Sequence, residues 1–162
     1  MDNKKGLNTN SNGYILVYAT ALVLVVAFIL AFVYQSLKPM SDANVEIDKK
    51  KQILASLNMR NVEKSEIEST YDATIQSEMV IDANAKIVKE GKDKFKDGFT
   101  MSSKDIDENH LPVYQCNVNG ETKYVLPLFG KGMWGGIWGY LALNADKQTV
   151  FGAYFNHEGE TA

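Results

Sequence analysis

The chain of 162 residues has one cysteine, Cys116, so no intramolecular disulfide can form. With no partner histidine identifiable, Cys116 reads as a plain buried or half-buried thiol, not a nucleophile. There are only two histidines, His110 and His157. His110 has no ligand spacing around it, so no metal site is expected. The segment Gly130-Lys131-Gly132 lacks the Gly-x-x-x-x-Gly-Lys-Ser/Thr pattern and does not open a helix, which excludes a phosphate loop. All but two of the 17 Lys and Arg, and all but one of the 20 Asp and Glu, follow residue 37. That part is net acidic and carries no basic footprint for nucleic acid. Internal repeats and low-complexity tracts are also absent.

What is present begins with residues 13–34, GYILVYATALVLVVAFILAFVY, an apolar run without a charged residue. At helical rise it reaches about 33 Å, enough to cross the hydrocarbon core of a bilayer. A lysine or aspartate at the centre would cost about 3 kcal/mol, so the unbroken run is itself the signal of a spanning helix. Tyr14, Tyr18 and Tyr34 sit near its ends, where interfacial anchors lie. A cleaved signal peptide would have a shorter apolar region and a small-x-small site after it, and bulky residues stand there instead. The expected organisation is a tail over residues 1–12, a transmembrane helix over 13–37 and one domain over 38–162. Lys4 and Lys5 precede the span, while Lys38 and Lys49 to Lys51 follow it, so the lysine count leaves the orientation open.

Beyond Pro39, Ser41 is a plausible N-cap, and Val45, Ile47, Ile53, Leu54 and Leu57 predict a helix up to Asn58. A second helix is expected over residues 64–78, with Ile67, Tyr71, Ile75 and Met79 along one face as core contacts. Residues 79–88 read as two short strands around a polar turn at Asp82 to Asn84, followed by a charged, solvated loop from Lys89 to Asp97. From Leu111 the pattern turns to strands: 113–118, the turn Asn119-Gly120, then 122–129, 137–143 and 150–155. Asn-Gly between β-rich runs is the strongest hairpin signal in the chain. Helices early and antiparallel strands late predict an α+β domain.

Two stretches stand out. Gly130-Lys-Gly-Met-Trp-Gly-Gly-Ile-Trp-Gly-Tyr140 sets five glycines among aromatics, as expected of a backbone that bends sharply or passes close to something flat. Phe155-Asn-His-Glu-Gly-Glu-Thr161 places one imidazole, two carboxylates and a hydroxyl directly after a strand. No nucleophile–base pair is recognisable in either. On residues alone, a glycine-rich hairpin whose aromatics fill the core and a ligand-contacting loop both remain open.

The N-terminal anchor, the turn at Val80 to Lys86, Leu126-Pro-Leu-Phe-Gly-Lys-Gly-Met-Trp-Gly-Gly-Ile-Trp-Gly-Tyr-Leu-Ala-Leu-Asn144 and Phe155 to Thr161, in that order, resemble the C-subunit family of sodium-translocating NADH:quinone reductases. The resemblance implies an anchor in the bacterial inner membrane, with the N-terminus cytoplasmic and an FMN-binding domain in the periplasm. It implies electron relay within a multi-subunit complex that exports sodium, with the other subunits as partners and no substrate bound directly by this one. It further implies that Glu160 and Thr161, with Gly159 and Trp134, lie beside the flavin, and that the protein alone oxidises no NADH. In the family the FMN phosphate is esterified to a threonine in a Ser-Gly-Ala-Thr motif downstream of the Glu-Thr element. This sequence has no such motif and stops where the family continues Glu-Thr-Pro-Gly-Leu-Gly, so the expectation is a chain truncated before the attachment site, with an incomplete domain. Two rival readings are the G-type member of the Rnf electron-transport complex, which shares the flavin domain, and a membrane-tethered binding or assembly module without a cofactor.

Overall fold

The computed structural model describes residues 9–91, 106–107, 109–133 and 135–159. Two compact units divide the chain, Met1–Ala43 and Asn44–Ala162. The first consists of most of α1 (Asn12–Ser56), whose most apolar stretch has a mean hydropathy of 2.9 and no buried residue. It is long and apolar enough to cross a membrane.

The expected break at Pro39 and fresh start at Ser41 do not occur; α1 runs through both. A proline inside a helix removes one hydrogen bond and costs about 3 kcal/mol. Ending the helix and restarting it would strand up to four carbonyls and four N–H groups, so the single missing bond is the smaller penalty.

The second unit holds the last turns of α1, the short helix α2 (Ile67–Thr74) and a six-stranded antiparallel sheet. Its strands are β1 (Ile75–Ile81), β2 (Ile87–Gly91), β3 (Leu111–Val118), β4 (Glu121–Lys131), β5 (Gly136–Asn144) and β6 (Val150–His157), arranged in the order β2-β1-β3-β4-β5-β6. Mixed helix and antiparallel sheet is the α+β class expected. The second helix is shorter than the 64–78 predicted, because Ile75 to Glu78 pair with β3 instead. Ile67, Tyr71 and Ile75 are buried as expected, whereas Met79 is only half-buried, since strand alternation turns it to the opposite face. Sheet pairing outweighs a local helical pattern wherever a partner strand is at hand. Lys89, Glu90 and Gly91, expected in a loop, extend β2; the rest of that charged segment lies outside the described residues.

The Asn119-Gly120 turn is as predicted, with φ of 53° and 86° and Asn117 Oδ1 accepting from Gly120 N–H at 2.9 Å. Positive φ at both central residues matches the twist of the flanking strands. At the β1–β2 turn Asp82 Oδ1 accepts from the N–H groups of Asn84 and Lys86, both at 2.9 Å.

One face of the sheet carries the core. Ile53, Leu54 and Leu57 from the end of α1 pack with Tyr71, Ile75, Tyr114, Cys116, Val125, Tyr140 and Ala142. Each fully buried aliphatic side chain contributes about 1.5–3 kcal/mol. Two polar groups in this layer hydrogen-bond within it: Tyr71 donates to Glu78 Oε1 at 2.8 Å, and Ser56 Oγ donates to Ile53 O at 2.6 Å. Lys50 bridges Glu46 (3.1 Å) and Glu68 (3.4 Å) and so ties α1 to α2. Burial alone would lower its pKa, but the two carboxylates outweigh it and hold the ammonium above its ordinary value.

Candidate functional site

The two stretches singled out in the sequence meet at one end of the sheet. The β4–β5 hairpin closes through Gly132 N–H donating to Gly135 O at 2.7 Å. Directly after β6, Glu158 N–H donates to Gly136 O at 2.8 Å, and Glu158 Oε2 accepts from Gly136 N–H at 3.3 Å. Contact here needs glycine: a Cβ on Gly135 would stand 2.7 Å from Glu158 O. The chain then enters Gly159 with φ of +118°, a conformation open to glycine and strained for other residues. Of the four residues implied as cofactor contacts, Gly159 is therefore placed at the hairpin. Trp134, Glu160 and Thr161 lie outside the described residues.

Beside this turn the sheet presents two different faces. On one, the row Leu128, Gly139 and Phe155 runs across β4, β5 and β6. Phe155 folds onto Gly139, where any Cβ would collide with its ring and with Tyr154 O. Leu128, Phe155 and neighbouring Ile137 are exposed apolar groups, and Met133 at the hairpin tip is 89% exposed. Further along that face, Met79, Ile81, Val113, Tyr124, Leu126 and Leu143 line a groove of about 440 Å³, with Lys147 at its rim.

On the other face Trp138, next to Gly139, donates from Nε1 to Gln52 Oε1 at 3.2 Å, and Gln52 Nε2 donates to Asp48 Oδ2 at 2.6 Å. Sequence reasoning missed this chain of bonds, which fixes the hairpin to α1. Its one visible signal is that Asp48 and Gln52 stand four apart on a helix, a spacing too common to decide anything. Tyr140, one row further, has its pKa pushed up to about 12 by burial and by the neighbouring Asp48 and Tyr154. Cys116 is buried, and burial pushes its thiol up to about 12 as well, which makes it an inert core group.

Fold and site together define a helix-and-sheet domain, carried on a helix able to cross a membrane and distinguished by a glycine-lined turn clamped to Glu158. No family model matches the chain. Among curated proteins it is similar to the C subunit of the Na(+)-translocating NADH-quinone reductase of Haemophilus ducreyi, at 28% identity over 96% of this chain. It is similar to the protein of that name from Pasteurella multocida at 31% identity over 95% of this chain. The crystal structure of the Parabacteroides distasonis C subunit superposes with a TM-score of 0.68 at 37% identity, covering 78% of this chain and 60% of that one. The chain is a homologue of the C subunit of the Na(+)-translocating NADH-quinone reductase. It spans 66% of the length of the two curated relatives.

Proposed function

We propose that this chain acts as the flavin-carrying electron relay of a membrane NADH:quinone reductase complex that exports sodium. Its anchor would lie in the bacterial inner membrane, with the N-terminus cytoplasmic and the sheet domain periplasmic. The observation that carries this reading is the meeting of the glycine hairpin with the turn after β6, beside an exposed apolar row. Glycines at 135 and 136 leave the backbone bare, and Leu128, Ile137 and Phe155 offer apolar surface next to it. A flat ring with one polar edge fits such a place: apolar side chains cover its faces, while backbone groups and the residues from Gly159 onward meet its polar rim. Gly159, with Trp134, Glu160 and Thr161, would hold FMN.

When bound, FMN supplies reversible electron uptake. The work of this chain's own residues is to position and shield. The Glu158–Gly136 clamp fixes the turn, the Trp138–Gln52–Asp48 bonds hold the hairpin on α1, and Phe155 keeps water from one side. No side chain here acts as a nucleophile or general base in this scheme, and the other subunits of the complex deliver and accept the electrons. The protein alone would then oxidise no NADH.

The test is to express the natural reading frame, purify the protein in detergent with FMN present, and measure flavin absorbance and in-gel fluorescence after acid denaturation. Folded wild-type protein is expected to retain flavin. Gly135→Val, whose side chain must displace Glu158, is expected to weaken retention by roughly tenfold or more while the circular dichroism is unchanged. A folded wild-type protein that takes up no FMN would overturn the reading and leave the cofactor-free tethering module in its place.

A further inference from the structure

Asn-Gly marks a turn and is also chemically labile. An asparagine amide followed by glycine is open to attack by the glycine's own backbone nitrogen, because no side chain stands in the way. The chain holds two such pairs, Asn12-Gly13 and Asn119-Gly120. The first opens α1. The second is the only one in the sheet domain, where every other asparagine precedes a residue with a side chain, as in Asn117-Val118, Asn144-Ala145 and Asn156-His157.

Asn119 and Gly120 form the two-residue turn beyond Val118 and Glu121, the last pair of the β3–β4 ladder. Both are exposed, and a Cβ on Gly120 would meet nothing within 4 Å. Water therefore reaches the turn, and burial does not protect it.

What restrains the pair is its own geometry. Asn117 Oδ1 accepts from Gly120 N–H at 2.9 Å, and that N–H must lose its proton before the nitrogen can attack. A hydrogen bond to it favours the protonated nitrogen. Asn119 is also held at a φ of 53°, the left-handed conformation a primed hairpin turn demands of its first central residue. Closing a ring between the Asn119 side chain and Gly120 N turns the intervening peptide out of that arrangement. Both restraints fail together when the hairpin opens.

We propose that Asn119 is a deamidation site gated by the fold: the β3–β4 turn keeps it silent while Asn117 holds Gly120 N–H, and opening of the hairpin releases it. In the opened turn Gly120 N gives its proton to a solvent base and bonds to Asn119 Cγ, the Cγ–Nδ2 bond breaks, and Nδ2 leaves as ammonia. Water then opens the cyclic imide at either carbonyl, giving aspartate or isoaspartate. No oxidant or reductant takes part, and loss of ammonia makes the change one-way. Isoaspartate adds a carbon to the backbone of a turn built for two residues, so the Val118–Glu121 pairing cannot re-form unchanged.

The test incubates the full chain in detergent micelles in mildly alkaline buffer, folded and in guanidinium chloride, and follows the replacement of NH by O with mass spectrometry of tryptic peptides. The two Asn-Gly pairs fall in different peptides, so Asn119 is counted separately. In the folded chain Asn119 is expected to convert more slowly than in the unfolded chain by about tenfold or more. Asn117→Ala, which removes the acceptor, should speed conversion in the folded chain by about fivefold, the size of one net hydrogen bond. Asn117→Asp keeps an acceptor and should stay near the wild-type rate. Circular dichroism checks the sheet of both variants; should the alanine variant unfold, the aspartate variant and the guanidinium comparison decide. Three results overturn the proposal: conversion as fast folded as unfolded, no acceleration by Asn117→Ala in a folded sheet, and equal acceleration by both variants.

Discussion

Asp146 sets the β5–β6 turn almost by itself. Its Oδ2 accepts from Thr149 Oγ1 at 2.5 Å, and its Oδ1 accepts from the N–H groups of Thr149 (2.9 Å) and Gln148 (3.0 Å). Between these bonds Lys147 takes a φ of 57°, an uncommon conformation for a side-chain-bearing residue that the turn must hold in place. The Thr149 hydroxyl, then the two backbone N–H groups, favour the ionised carboxylate and hold its pKa down at about 2. In the unfolded chain an aspartate titrates near about 3.9. Because the folded value is the lower one, the stabilisation is fully present above the unfolded value and disappears as pH falls from about 4 toward 2. Asp146→Asn keeps an acceptor but loses the charge. Thermal melts at stepped pH should find the variant less stable at pH 6 and the gap to wild type closing below pH 4; two melting curves that shift in parallel would mean the carboxylate is not held this way.

At the scale of elements, the same kind of contact decides where α1 meets β6. Gly152 leaves no room for a methyl group: its Cβ would lie against Ser56 O and within 3.1–3.2 Å of the Asn58 side chain, and the Asn58 amide is the group that caps Phe151 O. Gly152→Ala should therefore destabilise the sheet domain by about 2–3 kcal/mol through overpacking and loss of that cap. Gly130→Ala, where a Cβ meets nothing within 4 Å, is the control and should change stability by less than about 1 kcal/mol. Chemical denaturation of both variants gives the comparison. Neither glycine is marked by sequence alone, because what separates them is a helix end almost a hundred residues away. Wherever the determining interaction is local, the sequence was readable: Asn119-Gly120 announces its hairpin, and β3 to β6 fall within two residues of their expected limits. Where tertiary pairing competes, it was not. Ile75 to Glu78 carry a helical spacing yet join β3, and Pro39 looks like a stop that a long helix tolerates. The site follows the same rule. Both unusual stretches were visible as sequence, but their meeting through Glu158 and Gly136 is a product of sheet register, and the only sign of the buried Gln52 that steadies Trp138, its spacing from Asp48, is too common to single it out.

For the molecule as a whole, the decisive division is at Ala43 and Asn44. Up to that point α1 buries nothing, and the exposed side chains of 14–34 are those of a lipid-facing helix. Everything that makes the sheet domain cohere lies on the other side: Lys50 with its two glutamates, Gln52 with Trp138, and Ile53, Leu54 and Leu57 in the core. A chain starting at Asn44 keeps all of these and discards the exposed apolar run. It should therefore be soluble without detergent, be monomeric at low concentration, and unfold in one cooperative transition within a few degrees of the midpoint the full chain has in micelles. Starting instead at Met59 removes Ile53, Leu54 and Leu57 from the core. Burial worth about 1.5–3 kcal/mol for each of them is a large share of the 5–15 kcal/mol that holds a domain of this size, so the shorter chain should not fold. Circular dichroism melts of the two truncations separate the outcomes. If the chain from Asn44 aggregated or melted without cooperativity, the first unit would be part of the fold and not only its anchor.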